Sequence, residues 1–102
     1  MSRREQLDKI LRAILESGNV YFQPPESVKM KYPCIRYELS DIANRHADNK
    51  NYNLVDRYTI QYINKDPDDA TKRYILETFE MCSFDRFYTA DNLNHYVFTL
   101  YY

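Results

Sequence analysis

The stretch YNLVDRYTIQYINKD, residues 52–66, decides the fold. Leu54, Tyr58, Ile60 and Tyr62 share one face of an extended chain, while Asn53, Arg57 and Gln61 fall mainly on the other. That is the period-two pattern of a half-buried strand. The run leads straight into PDDATKRYILETFEM, where Ile75, Leu76 and Phe79 recur at helical spacing. A long central strand followed at once by an amphipathic helix gives the rest of the chain a surface to pack on.

The helix is expected over 67–81, with Asp66 as N-cap, Pro67 at the first helical position and Asp68 and Asp69 near the positive end of its dipole. It should bury Ile75, Leu76 and Phe79, with Ala70 and Cys82, and leave Lys72, Arg73, Glu77 and Glu80 in solvent. Beyond it, CSFDRFYTADNLNHYVFTLYY reads as two strands around an Ala90-Asp91-Asn92-Leu93 turn. Phe84, Arg86 and Tyr88 alternate with Asp85 and Phe87 in the first, and Tyr96, Phe98 and Leu100 with His95, Val97 and Thr99 in the second.

Upstream of the central strand, Pro33 opens a second one in which Ile35, Tyr37 and Leu39 alternate with Arg36 and Glu38. Ser40 to Asn51 between them has no usable period and reads as a long polar loop. Hairpin loops usually take about two to five residues, so this one implies a mobile arm or two strand extensions projecting beyond the sheet. Any functional projection belongs here. Further upstream, residues 19–23 read as a short edge strand or an extended entry, stopped by Pro24-Pro25. The chain opens with a helix over 3–17: Ser2 and Glu5 make a capping box, Leu7, Ile10, Leu11, Ile14 and Leu15 supply the apolar stripe, and Gly18 is placed for a left-handed C-terminal cap. The order gives one α+β domain over 1–102, a mostly antiparallel sheet with two helices packed on one face.

Eleven tyrosines account for a mean hydropathy of -0.72 despite 44% apolar residues. Such amphipathic rings suit a thin core or a protein contact. Fourteen basic and 15 acidic side chains leave a net charge of -1, too little to draw the chain to duplex nucleic acid or anionic lipid. Cys34 and Cys82 are expected as free, buried thiols. The charged start and the lack of any apolar run near the roughly 20 residues of a membrane span imply a soluble protein made in the cytoplasm, with no membrane partner.

No catalytic, cofactor-binding or metal-binding constellation emerges, so the chain is not read as an enzyme and no cofactor is expected. The single glycine excludes a Gly-rich phosphate cradle, and His46 and His95 have no partners at a recurring metal spacing. Cys34 or Cys82 could meet His95 only through the fold. Asp66, Asp68 and Asp69 are explained by helix capping.

The run from Cys82 to Tyr88, with Ala90 to Tyr102 after it, resembles the C-termini of tail-completion or tail-terminator proteins of long-tailed bacteriophages. The opening helix, Pro33-Cys34-Ile35-Arg36-Tyr37-Glu38, and Tyr58 to Ile63 with Asp66-Pro67-Asp68 extend that likeness over nearly the whole chain. The resemblance implies an α+β fold and a homo-oligomeric ring, usually a hexamer, at the head-proximal end of the tail tube. Such a ring ends tail polymerisation and meets the head-tail connector, with phage DNA passing through its lumen without sequence-specific binding. Its place is the virion, after assembly in the bacterial cytoplasm. A head-tail connector or stopper protein is the rival in the same machinery. A small nucleic-acid-binding module stacking bases on Tyr58, Tyr62, Phe84 and Tyr88 is the rival from another class.

The resemblance transfers no site by motif. From the residues themselves, the expected contacts are Arg45, His46, Asp48 and Lys50 in the polar loop. Val55 and Ile63, with Thr59 and Val97, are expected on an apolar sheet face open to a neighbouring subunit.

Overall fold

A computed structural model describes residues 2–47 and 50–102, and within 42–54 the backbone only. Its elements are α1 (Arg3–Leu15), β1 (Val20–Phe22), β2 (Cys34–Ala47), β3 (Lys50–Asn64), α2 (Thr71–Thr78), β4 (Cys82–Ala90) and β5 (Leu93–Tyr101). The strands form one sheet in the order β1-β2-β3-β5-β4, antiparallel except for the parallel β1–β2 edge pair. The expected α+β class stands.

The core lies between the sheet and the helices. Tyr58, Ile60 and Tyr62 of β3 are directly opposite Leu100, Phe98 and Tyr96 of β5, and Ile35 and Tyr37 of β2 oppose Tyr62 and Ile60. These side chains form one buried cluster with Leu7 and Leu11 of α1, Ile75 of α2 and Phe79 just after it. The central strand's alternation therefore selects the face that both helices cover.

α1 begins as its sequence dictates: the Ser2 hydroxyl accepts from the Glu5 amide, and the Glu5 carboxylate accepts from the Ser2 amide. Its end differs. The left-handed residue is Glu16, with φ 56°, rather than Gly18. Arg12 makes this possible, because its carbonyl accepts from the Glu16 and Ser17 amides while its guanidinium donates to the Gly18 carbonyl.

α2 is shorter than expected and starts at Thr71, not Pro67. Asp66 closes a local turn by accepting from the Asp68 amide. Asp69 does the ordering at the helix start: its carboxylate accepts from the Thr71 amide and hydroxyl, and from the hydroxyl of buried Tyr62. A carboxylate held by the sheet fixes where the helix can begin. Leu76, expected in the core, is exposed.

Asp91 and Asn92, with φ 54° and 62°, make the two-residue β4–β5 turn, a geometry that Asp and Asn tolerate better than most residues. Both cysteines are free, as expected. Cys34 is buried on the sheet face away from the helices and Cys82 is half-buried against the main core, so the sheet separates them. Burial pushes both thiols up to about 11, which keeps them protonated and poorly nucleophilic at neutral pH.

Candidate functional site

Ser40 to Asn51 is not a loop as far as it is described. β2 continues through Ala47 and β3 starts at Lys50, so the second alternative, paired strand extensions, is the one observed. The last β3–β5 pair is Arg57–Tyr101, whereas β2–β3 pairing continues outward to Ala47–Lys50. This two-stranded ribbon runs for roughly 25 Å at ~3.3 Å per residue. It accounts for a long axis of 49 Å against 25 and 23 Å for the others.

Arg45, His46 and Lys50 all lie on the ribbon, Arg45 opposite Asn53, His46 opposite Asn51, and Lys50 opposite Ala47. Asp48 lies outside the described residues. At the ribbon's base, Ser40 donates to the Arg57 carbonyl and Arg57 pairs with Asp41 at 3.6 Å. Leu39, which the alternation groups with Ile35 and Tyr37, is exposed there.

The apolar contact face is not present in the expected form. Ile63 does lie on the face away from the helices, but it is only 2% exposed. It packs with Cys34 and Leu93 under Tyr21 and Met30, in a second small core. Val97 is likewise buried. The segment between β1 and β2 supplies the cover, which the polar sequence Glu26 to Lys31 conceals: Met30 packs inward, and the Lys31 amide donates to the Tyr21 hydroxyl.

Val55 is displaced as well. It lines a groove with Arg3, Ile10, Phe79 and Tyr102, on the helix side of the chain. Two-stranded ribbons twist more than wide sheets. Asp56 keeps the face of Tyr58, whose hydroxyl donates to its carboxylate, so the departure from flat-strand alternation is at Val55.

The remaining face is polar. The Gln61 amide nitrogen contacts the Tyr88 hydroxyl at 2.7 Å and His95 Nδ1 at 2.8 Å, and the Tyr88 and His95 rings stack at 4.6 Å. His95 Nε2 is buried without a partner among the described residues. Among the described residues, no group of His, Cys, Asp and Glu could hold a metal ion, and no helix is long and apolar enough to cross a membrane.

The surface that sequence reasoning missed is the outer edge of β4. Ser83 to Ala90 are all exposed, with Phe84 at 48%, Phe87 at 49% and Tyr88 at 38%. A bulge between Phe84 and Arg86 resets the alternation, so Phe84 opposes Phe98 and Phe87 opposes Tyr96 on the helix face. Phe84 also walls a mostly apolar groove of about 280 Å³ with Leu76, Tyr96 and Phe98, flanked by Lys72 and Arg73. The spacing of the aromatics in SFDRFY, at 84, 87 and 88, was the available signal, since it fits no simple alternation.

No family model, curated protein or solved structure matches this chain.

Proposed function

We propose that the protein is a structural subunit of a bacteriophage tail terminator. Copies form a closed ring at the head-proximal end of the tail tube, stop tube growth and present a surface to the head-tail connector. The observation that carries this reading is the β2–β3 ribbon, a two-stranded projection beyond the body of the sheet. An isolated two-stranded hairpin is marginal in water, so a ribbon that leaves its own sheet gains most from packing on a neighbour. The resemblance of the chain's short runs and element order to tail-terminator proteins supplies the identity of that neighbour. A ring requires a heterologous contact that closes on itself, and a projection meeting a different surface of the next copy is of that kind.

Near-zero net charge leaves such subunits without strong mutual repulsion, so ring formation should depend only weakly on salt. The test is solution mass together with negative-stain imaging, with and without purified tail tube protein. Rings that bind tube ends and limit tube length are the expected outcome. A chain that never associates with tube ends would overturn the reading, and rings that bind only the connector would move it to the stopper.

A further inference from the structure

We propose that two copies of this chain pair antiparallel through their β4 edges, about a two-fold axis passing between Asp85 and Arg86. The two five-stranded sheets would thereby become one continuous sheet.

The opposite sheet edge is protected: β1 has three residues and Pro24-Pro25 follows shortly after it. The nine residues of β4 are left open, with three large aromatic side chains exposed along them. A bulge and a pair of charges usually blunt such an edge against pairing. Here they are arranged to be self-complementary. Around the proposed axis, Asp85 of one copy stands opposite Arg86 of the other, Phe84 opposite Phe87, and Ser83 opposite Tyr88, each contact occurring twice.

Directly opposed residues of an antiparallel pair must share a face. Without the bulge, Phe84 and Phe87 would point to opposite faces. With it, both lie on the helix face, over Phe98 and Tyr96 at centroid distances of 5.6 and 5.1 Å. The two bulges coincide at the axis, so both strands bend at the same place. The second copy's Phe87 would extend the apolar wall that Phe84 and Leu76 already form. Among the described residues Asp85 has no ion-pair partner within its own chain, and Arg86 only rests over the Tyr88 ring at 5.6 Å.

Neighbouring registers are worse. An axis through Arg86 places that guanidinium against its own copy and Asp85 against Phe87, and an axis through Asp85 opposes two carboxylates and sets Phe84 against Arg86. Like charges directly opposed destabilise strand pairs, so the charges select the register as well as the partner. A two-fold contact closes on itself and leaves the ribbon free. The contact uses none of the ribbon, so its test is independent of the tail-terminator reading.

Analytical ultracentrifugation of the purified chain tests it. The wild type should dimerise reversibly. Asp85→Arg and Arg86→Asp should each weaken association about tenfold or more, because each places two like-charge pairs at the axis. An equimolar mixture of the two variants should recover the wild-type affinity, since every cross-axis pair is again of opposite sign. Both positions are exposed, and circular dichroism should show each variant folded. A wild type that remains monomeric at roughly 100 μM, where even a weak specific contact would be populated, overturns the proposal. So does association unaffected by either substitution, or a mixture no tighter than its components.

Discussion

The Tyr37 hydroxyl donates to the Asp8 carboxylate at 2.5 Å, tying the first helix to the sheet through a charge-assisted bond at the margin of the core. Asp8 also accepts from the Arg12 Nε at 2.5 Å, and Arg4 donates to the Tyr37 oxygen at 3.3 Å. The tyrosine is 1% exposed, so its ring fills the core while its hydroxyl reaches out to a partly exposed acid. Tyr62 repeats the arrangement with Asp69 at the other helix. Each helix is thus held by apolar burial and by one tyrosine–aspartate bond from the sheet.

Tyr37→Phe should keep the fold and cost about 1–3 kcal/mol, the usual range for losing a hydrogen bond to a charged group. Urea denaturation measures the loss. The Asp8 carboxyl should titrate higher in the variant, read by NMR, because the bond that lowers its pKa is gone. An unchanged Asp8 titration would show that the carboxylate is held by Arg12 alone.

Stability should decline at both ends of the pH scale. Burial acts to raise the pKa values of Asp8 and Asp69, but bonds from Tyr37 and Arg12 to the first, and from Tyr62 and Thr71 to the second, leave both below the ordinary 3.8. A carboxylate lowered in the folded state stabilises above its unfolded value, and that stabilisation is lost as pH falls through the folded value. The acid limb therefore lies below 3.8. Burial, and then the aspartate bonds, push Tyr37 and Tyr62 up to about 12 from 10.0. Their contribution is complete below 10.0 and disappears as pH rises toward about 12. Denaturant midpoints from pH 2 to 12 test this, and Tyr37→Phe should flatten part of each limb.

Ile63→Lys should unfold or strongly destabilise the isolated chain. The site is 2% exposed among Cys34, Leu93, Tyr21 and Met30, and a lysine there would bury a charge or open the small core. Ile63→Val should cost only about 0.5–1.5 kcal/mol. Thermal melting of both variants decides it, and a stable Lys variant would mean that the β1–β2 segment lifts easily from the sheet.

The main core was legible because period two in β3 and β5, and helical period in α1, each point to one face, and paired strands carry those faces together. Capping at Ser2 and turn chemistry at Asp91-Asn92 were local and equally readable. The α2 start was not, since Asp69 is oriented by Tyr62, a partner on another element. Ile63 lies on the face its period gives but is covered instead of open, because its cover comes from Met30 in a segment whose composition is polar. The β4 bulge defeated alternation at Phe87, and twist defeated it at Val55.

Replacing residues 44–54 with Asn-Gly should separate the ribbon's role in assembly from its role in folding. Ala43 and Val55 are directly opposite in the β2–β3 register, so a two-residue turn can join them without shifting either strand. The replacement keeps the Arg57 contacts at the base and the bond from the Tyr102 amide to the Asp56 carbonyl. It also retains every described residue of the main core. Stability of the shortened chain should stay within about 1 kcal/mol, since the removed pairs lie beyond the sheet and contribute little against the entropy of ordering them. On the proposed tail-terminator reading, ring formation and tube capping should be lost, as read by solution mass and by tube length in a tail assembly reaction. Unchanged rings would remove the ribbon from the subunit contact, and a shortened chain that fails to fold would show that the projection stabilises the sheet from which it extends.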